Sequence, residues 1–182
     1  QNEQQSGAEL FIPKMGDWWC HSLGWCGVQL TPLEKELVEA IWHDSHTETT
    51  LSVVSSQKNQ AKINHNDRSI ALFMQWQNWS LLLTGDLEVE GESALLANWM
   101  LPTVTVLKAG HHGSKTSTSE ELLIQAQPEL TTVSSGKNNT FGHPHPEVLS
   151  RLIQTGSQIW RSDLSGTFVI TVSNTNRWSV RA

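Results

Sequence analysis

Thr103-Val104-Thr105-Val106-Leu107-Lys108-Ala109-Gly110-His111-His112-Gly113-Ser114 begins as a short β-branched strand and ends in a glycine-flanked pair of imidazoles. β-Branched residues suit extended backbone. A strand that runs directly into Gly and His presents polar side chains at its C-terminal end, where α/β sheets place their ligands. Upstream, Ser69 to Trp76 and Trp79 to Thr84 are apolar runs separated by Gln77-Asn78, the length of a two-residue hairpin. The second run ends at Gly85-Asp86, so a carboxylate arrives at one strand end and two imidazoles at another.

Between them, acidic Leu87 to Glu92 leads into a predicted helix over Ser93 to Met100, whose start carries the negative charge a helix dipole favours. Downstream, a helix is predicted over Ser119 to Ala126 with Ser119 as its cap, and a strand over Leu130 to Ser134. The loop Gly142-His143-Pro144-His145-Pro146 follows, then a helix over Pro146 to Thr155. Strands near Gln158 to Arg161, Gly166 to Val172 and Trp178 to Val180 close the chain. Alternating strands and helices indicate a layered α/β fold.

Toward the N-terminus the pattern weakens. Residues 1 to 9 are polar and Gln-rich, and 1 to 17 are read as a linker or the tail of a preceding element, with one domain over 18 to 182. Leu33 to Trp42 is predicted as a helix. His43 to Asn66 is predicted as a long polar loop with a strand at Leu51 to Val54, leaving His43 and His46 solvated. Cys20 and Cys26 form either one local disulfide or two buried thiols, because a lone Cys-x5-Cys pair lacks the second half of a zinc knuckle.

With 182 residues the chain is one domain's worth, and no stretch approaches the roughly 18 apolar residues of a membrane span. Its net charge of −6 is uneven: −8 over residues 1 to 107, +1 over 108 to 161 and +1 over 162 to 182. A general nucleic-acid coating protein is basic, so polyanion binding is confined to the segment carrying Lys108, Lys115, Lys137, Arg151 and Arg161.

Asp86 with one of His111 and His112 is a partial ligand set for Zn²⁺ or Mn²⁺. Neighbours in extended backbone point to opposite sides, so the other imidazole is expected to contact substrate or donate a proton. Ser114, Lys115, Thr116 and Ser117, ahead of a helix start, are hydroxyls and a cation suited to a phosphate, or else an ordinary Ser/Thr-rich cap. His143 and His145 lie in a proline-stiffened loop, serving as ligands, as substrate contacts or as plain surface. Asn66 and Ser69 stand before the hairpin, where turn chemistry is the ordinary use and substrate contact the functional one.

In order, Asn66-Asp67-Arg68-Ser69, Leu82-Leu83-Thr84-Gly85-Asp86, Leu107 to Ser117 and Phe141-Gly142-His143-Pro144-His145-Pro146-Glu147-Val148-Leu149 resemble the metallo-β-lactamase-like domain at the C-terminus of ComEC competence proteins. Cys20, Gly24-Trp25 and Val28 to Pro32 are similar to that family's segment before the hairpin, and the resemblance covers roughly residues 18 to 172. It implies a metallo-β-lactamase-like αββα sandwich, mainly its C-terminal half. It also implies a metal-dependent phosphodiesterase or nuclease of DNA uptake in natural transformation, working with the membrane channel portion of the same protein at the extracytoplasmic face of the bacterial inner membrane.

By position, the resemblance makes Asp86 the bridging carboxylate, one of His111 and His112 a late metal ligand, and sets His143 and His145 near the DNA. A hydroxide on one or two Zn²⁺ or Mn²⁺ ions attacks phosphorus in such sites. Hydrolases of the superfamily take most ligands from a His-x-His-x-Asp-His block, which is absent here. The resemblance therefore implies that the first half of the domain lies before residue 1 and that this segment alone holds a weak, incomplete metal site. A non-catalytic DNA- or partner-binding module of the same fold is the alternative.

Overall fold

The computed structural model of the chain describes residues 38–44, 49–55, 64–173 and 177–181. Cys20, Cys26, His46 and the segment 1–17 lie outside the described residues.

Seven strands form one mixed sheet in sequence order: β1 (Val38–Asp44), β2 (Thr49–Ser55), β3 (Ile70–Trp76), β4 (Trp79–Leu83), β5 (Val106–Lys108), β6 (Leu130–Val133) and β7 (Gln158–Arg161). The first four pair antiparallel, and β4 to β7 pair parallel. The parallel steps are bridged by α1 (Val89–Asn98), α2 (Glu120–Ala126) and α3 (Pro146–Gln154). A one-turn helix α4 (Ser162–Ser165) follows β7, and β8 (Val169–Val172) pairs with β9 (Trp178–Arg181) as a separate hairpin.

Strand alternation divides the core between the two faces of the sheet. Ala71, Phe73, Leu82, Leu107, Val133 and Ile159 meet Leu95, Leu122, Leu123, Ala126, Val148 and Leu152 of the three helices. On the other face Trp79, Val106 and Leu130 pack with Met74, Leu81 and Trp160 against Ile170, Val172, Trp178 and Val180 of the hairpin. Three successive crossovers of one hand along a sheet that grows in one direction place their helices on one face. Each fully buried leucine there contributes roughly 1.5–3 kcal/mol. The α/β class is therefore as expected, with helices on one face and a β-hairpin on the other.

Three local expectations are corrected. Residues 38–42, read as the end of a helix, are strand β1, and His43 and Asp44 close that strand instead of opening a loop. The strand expected from Thr103 starts at Val106, because Thr105 N–H donates to Ser80 Oγ (3.1 Å) and Ser80 N–H returns a bond to Thr105 Oγ1 (3.1 Å). A side-chain exchange there replaces the main-chain ladder. The helix expected from Ser93 starts at Val89, because Asp67 Oδ1 accepts from Glu88 N–H (2.8 Å) and Gly91 N–H (3.0 Å). Asp67 thus caps a helix 21 residues away from it. Gly91 is required there, since a Cβ would stand 2.5 Å from Asp67 Oδ1.

The Ser119 cap is as expected, its Oγ accepting from Leu122 N–H at 3.2 Å. No described helix is long and apolar enough to cross a membrane.

Candidate active site

Because β4, β5 and β6 run parallel, the segments after Leu83, Lys108 and Val133 leave the same edge of the sheet. The first delivers Asp86, whose N–H is held by Ser69 Oγ at 3.1 Å. The second delivers His111 and His112, tied to the first by His111 N–H bonding Gly85 O at 3.0 Å. The third leads to His143 and His145, and His145 N–H bonds Gly113 O at 2.9 Å. Three strand ends are thereby laced into one surface carrying four imidazoles. Ring centroids lie 6.3 Å apart for His111 and His112, 5.6 Å for His111 and His143, and 5.1 Å for His143 and His145.

The two adjacent histidines diverge, but not through extended backbone. His111 (φ 44°, ψ 46°) and His112 (φ 57°, ψ 20°) both occupy the left-handed region inside a tight turn, Gly110–Gly113. Two consecutive non-glycine residues there store strain that surrounding contacts must hold, a feature that clusters at functional sites.

His112 Nδ1 lies 2.7 Å from Ser134 O. A carbonyl only accepts, so Nδ1 carries the proton and Nε2 is left with its lone pair. That Nε2 faces Asp86 Oδ1 at 3.9 Å, both side chains about half exposed. Two acceptors turned toward each other at this separation suit a cation between them, given metal–ligand bonds of roughly 2.0–2.2 Å. The carbonyl on the far ring nitrogen is the arrangement that fixes a ligand histidine. Asp86 and His112 thus fit as two donors to a divalent ion. Among the described residues no group of three or more His, Cys, Asp or Glu side chains is arranged to hold one.

His111 instead faces Glu88, with Nδ1 3.3 Å from Oε1. Glu88 also accepts from Asn66 Nδ2 (3.1 Å), Thr116 Oγ1 (2.9 Å) and Asn64 Nδ2. Burial alone raises its pKa, yet the Asn66 and Thr116 hydrogen bonds, the His111 charge and Asn64 outweigh burial and hold Glu88 below the usual carboxylate range. Glu88 therefore orients His111, leaving Nε2 as its free basic atom. Burial, with the charges of His145, His111 and His112, pushes the His143 imidazole down. Burial likewise lowers Lys108, against the opposing pull of Asp86.

Sequence reasoning passed over Glu88. It stands in the run Glu88, Glu90, Glu92, where nothing local separates an exposed Glu90 and a buried Glu92 from the one facing the imidazoles.

The remaining expected residues are placed unevenly. Asn66 joins the cluster, 3.5 Å from His111 Nδ1, whereas Ser69 holds the Asp86 backbone. In the hydroxyl loop, Ser114 and Ser117 are buried, Ser114 Oγ lies 2.9 Å from Thr116 Oγ1, and Lys115 is exposed. The amides at the start of α2 already hold a carboxyl group of the chain itself. Thr118 N–H and Ser119 N–H donate to Glu92 Oε1 (2.6 Å) and Oε2 (2.8 Å).

Gly113 (φ +83°) joins the two histidine loops, and a Cβ there would stand 2.6 Å from Pro144 Cβ. Gly113→Ala is expected to cost about 1–3 kcal/mol in urea unfolding and to weaken any activity of the imidazole cluster, because the contact and the backbone are both incompatible with a side chain.

No family model matches the chain. Over 102 residues it is 44% identical to "ComE operon protein 3" of Bacillus subtilis, covering 56% of this chain and 13% of that protein. Over 101 residues it is 40% identical to "Recombination protein 2" of Haemophilus influenzae, covering 56% of this chain and 13% of that protein. Over 115 residues it is 38% identical to "Competence protein ComA" of Neisseria gonorrhoeae, covering 62% of this chain and 16% of that protein. The chain thus spans a small part of the length of these relatives.

Proposed function

We propose, from the premise that this chain is a relative of competence proteins, that it carries part of a divalent-metal phosphodiester-hydrolysing site of a DNA-uptake protein. The carrying observation is His112 Nε2 turned toward Asp86 Oδ1 at 3.9 Å, with His112 Nδ1 fixed on Ser134 O. On this reading the helix-covered sheet and its opposing hairpin are the later half of a metallo-β-lactamase-like αββα sandwich. The protein then acts on DNA at the extracytoplasmic face of the membrane, beside the channel portion of the same protein.

Asp86 and His112 would hold the ion, Zn²⁺ or Mn²⁺, which would supply Lewis-acid polarisation of the phosphodiester and activation of water. Glu88 keeps the proton of His111 on Nδ1, so His111 Nε2 accepts or returns a proton at the reacting phosphate. His143 and His145 face the substrate side of the cluster, and exposed Lys115 attracts the phosphate backbone.

The test is incubation of an end-labelled single-stranded oligonucleotide with the purified chain supplied with a half-domain that carries the His-x-His-x-Asp-His block. Fragments that accumulate with Mn²⁺ or Zn²⁺ and vanish with EDTA or in His112→Ala are expected. Binding without cleavage under every ion condition would overturn the hydrolytic reading. It would favour a DNA- or partner-binding module.

A further inference from the structure

Beside the imidazole cluster lies an open cleft of about 420 Å³, lined by His112, His143, Phe141, Asn139 and the segment 134–136. Phe141 is 75% exposed. Its inner face stacks on His143, with centroids 5.9 Å apart and planes inclined by 28°.

The loop that presents this ring is clamped. Asn139 Oδ1 accepts from His143 N–H (3.0 Å), while its Nδ2 donates to Gly136 O (2.9 Å) and His143 O (2.6 Å). Pro144 packs on Gly113, and His145 N–H holds Gly113 O. An exposed aromatic ring held on an ordered loop incurs little of the ordering cost of binding. It suits a flat, π-faced partner, and sequence-tolerant binding of single strands rests on such stacking. Lys137, exposed within the same loop, adds a cation for a neighbouring phosphate.

The geometry points to this cleft as a nucleobase subsite: the base next to the reacting phosphate enters beside His112 and His143 and stacks on the free side of Phe141. This rests on the phosphodiester reading, because the cleft's two imidazoles belong to that site. It also adds a base contact to a site otherwise built for phosphate.

Binding of two dye-labelled single-stranded oligonucleotides tests it, one intact and one fully abasic with the same sugar–phosphate backbone. Fluorescence anisotropy is followed in Mn²⁺ and again in EDTA. The wild-type chain is expected to bind the intact strand about ten-fold more tightly. Phe141→Ala should bind both strands as the wild type binds the abasic one, and Phe141→Trp should restore the preference. Because Phe141 is mostly exposed, Phe141→Ala should leave the unfolding midpoint unchanged.

Equal wild-type affinity for both strands, or a preference that survives in Phe141→Ala, overturns the subsite while leaving phosphate-directed hydrolysis standing. Failure of the wild type to bind either strand overturns both.

Discussion

Asp86→Ala is expected to abolish ion-dependent cleavage and to weaken Zn²⁺ or Mn²⁺ binding by more than about 100-fold, the upper range for loss of a partner that merely supports a ligand. The carboxylate is about half exposed, and Ser69 holds the backbone N–H of Asp86, which the substitution retains. Stability should therefore change by less than about 1 kcal/mol. Asp86→Asn keeps the shape and removes the charge, so it should fail nearly as badly. Calorimetric titration with each ion, next to the oligonucleotide assay, measures both effects. DNA binding that persists unchanged in Asp86→Ala, and falls in Lys115→Ala with a salt slope smaller by about one, would mark a metal-independent binding module.

Glu92→Ala is expected to lower unfolding stability by about 3–5 kcal/mol, a large share of the roughly 5–15 kcal/mol of an ordinary domain. Glu92 is fully buried and is the acceptor for two amides at the head of α2. Truncation leaves both N–H groups buried without that acceptor. Arg151 also loses its nearby charge, although its hydrogen bonds to Thr118 O and Ser117 O remain. Burial pushes the Glu92 carboxyl up, against the opposing Ser119 and Thr118 bonds and the Arg151 charge. With urea slopes of roughly 1–3 kcal/mol per molar, the midpoint should fall by about 2 M. Glu92→Gln keeps one acceptor oxygen and should lose about half as much. A midpoint shift in Glu92→Ala below about 0.5 M would show that water serves those amides instead.

Most of the elements were legible because the forces that make them act over a few residues. Gln77-Asn78 between two apolar runs marks the β3–β4 hairpin. Ser119 marks the start of α2, and Pro146 stands at the first turn of α3. The same local logic failed for 38–42, where strand pairing with β2 outweighed the helical pattern. It failed again at α1, whose start is set by Asp67 from across the molecule.

The site divides in the same way. Asp86, His111, His112, His143 and His145 stand out by residue type and by their place at strand ends. The sequence by itself determined that a carboxylate and imidazoles would share one sheet edge, because parallel strands deliver their C-terminal residues together. Only the tertiary structure decided which acid does what. Glu88 meets His111, Glu92 meets the head of α2, and Asn66 reaches Glu88 and His111, through pairs 22 to 45 residues apart. Those separations exceed any local period, so the choice among chemically identical carboxylates is made by packing: the one that is buried, the one that is exposed and the one that meets a ring are set by where the chain crosses itself.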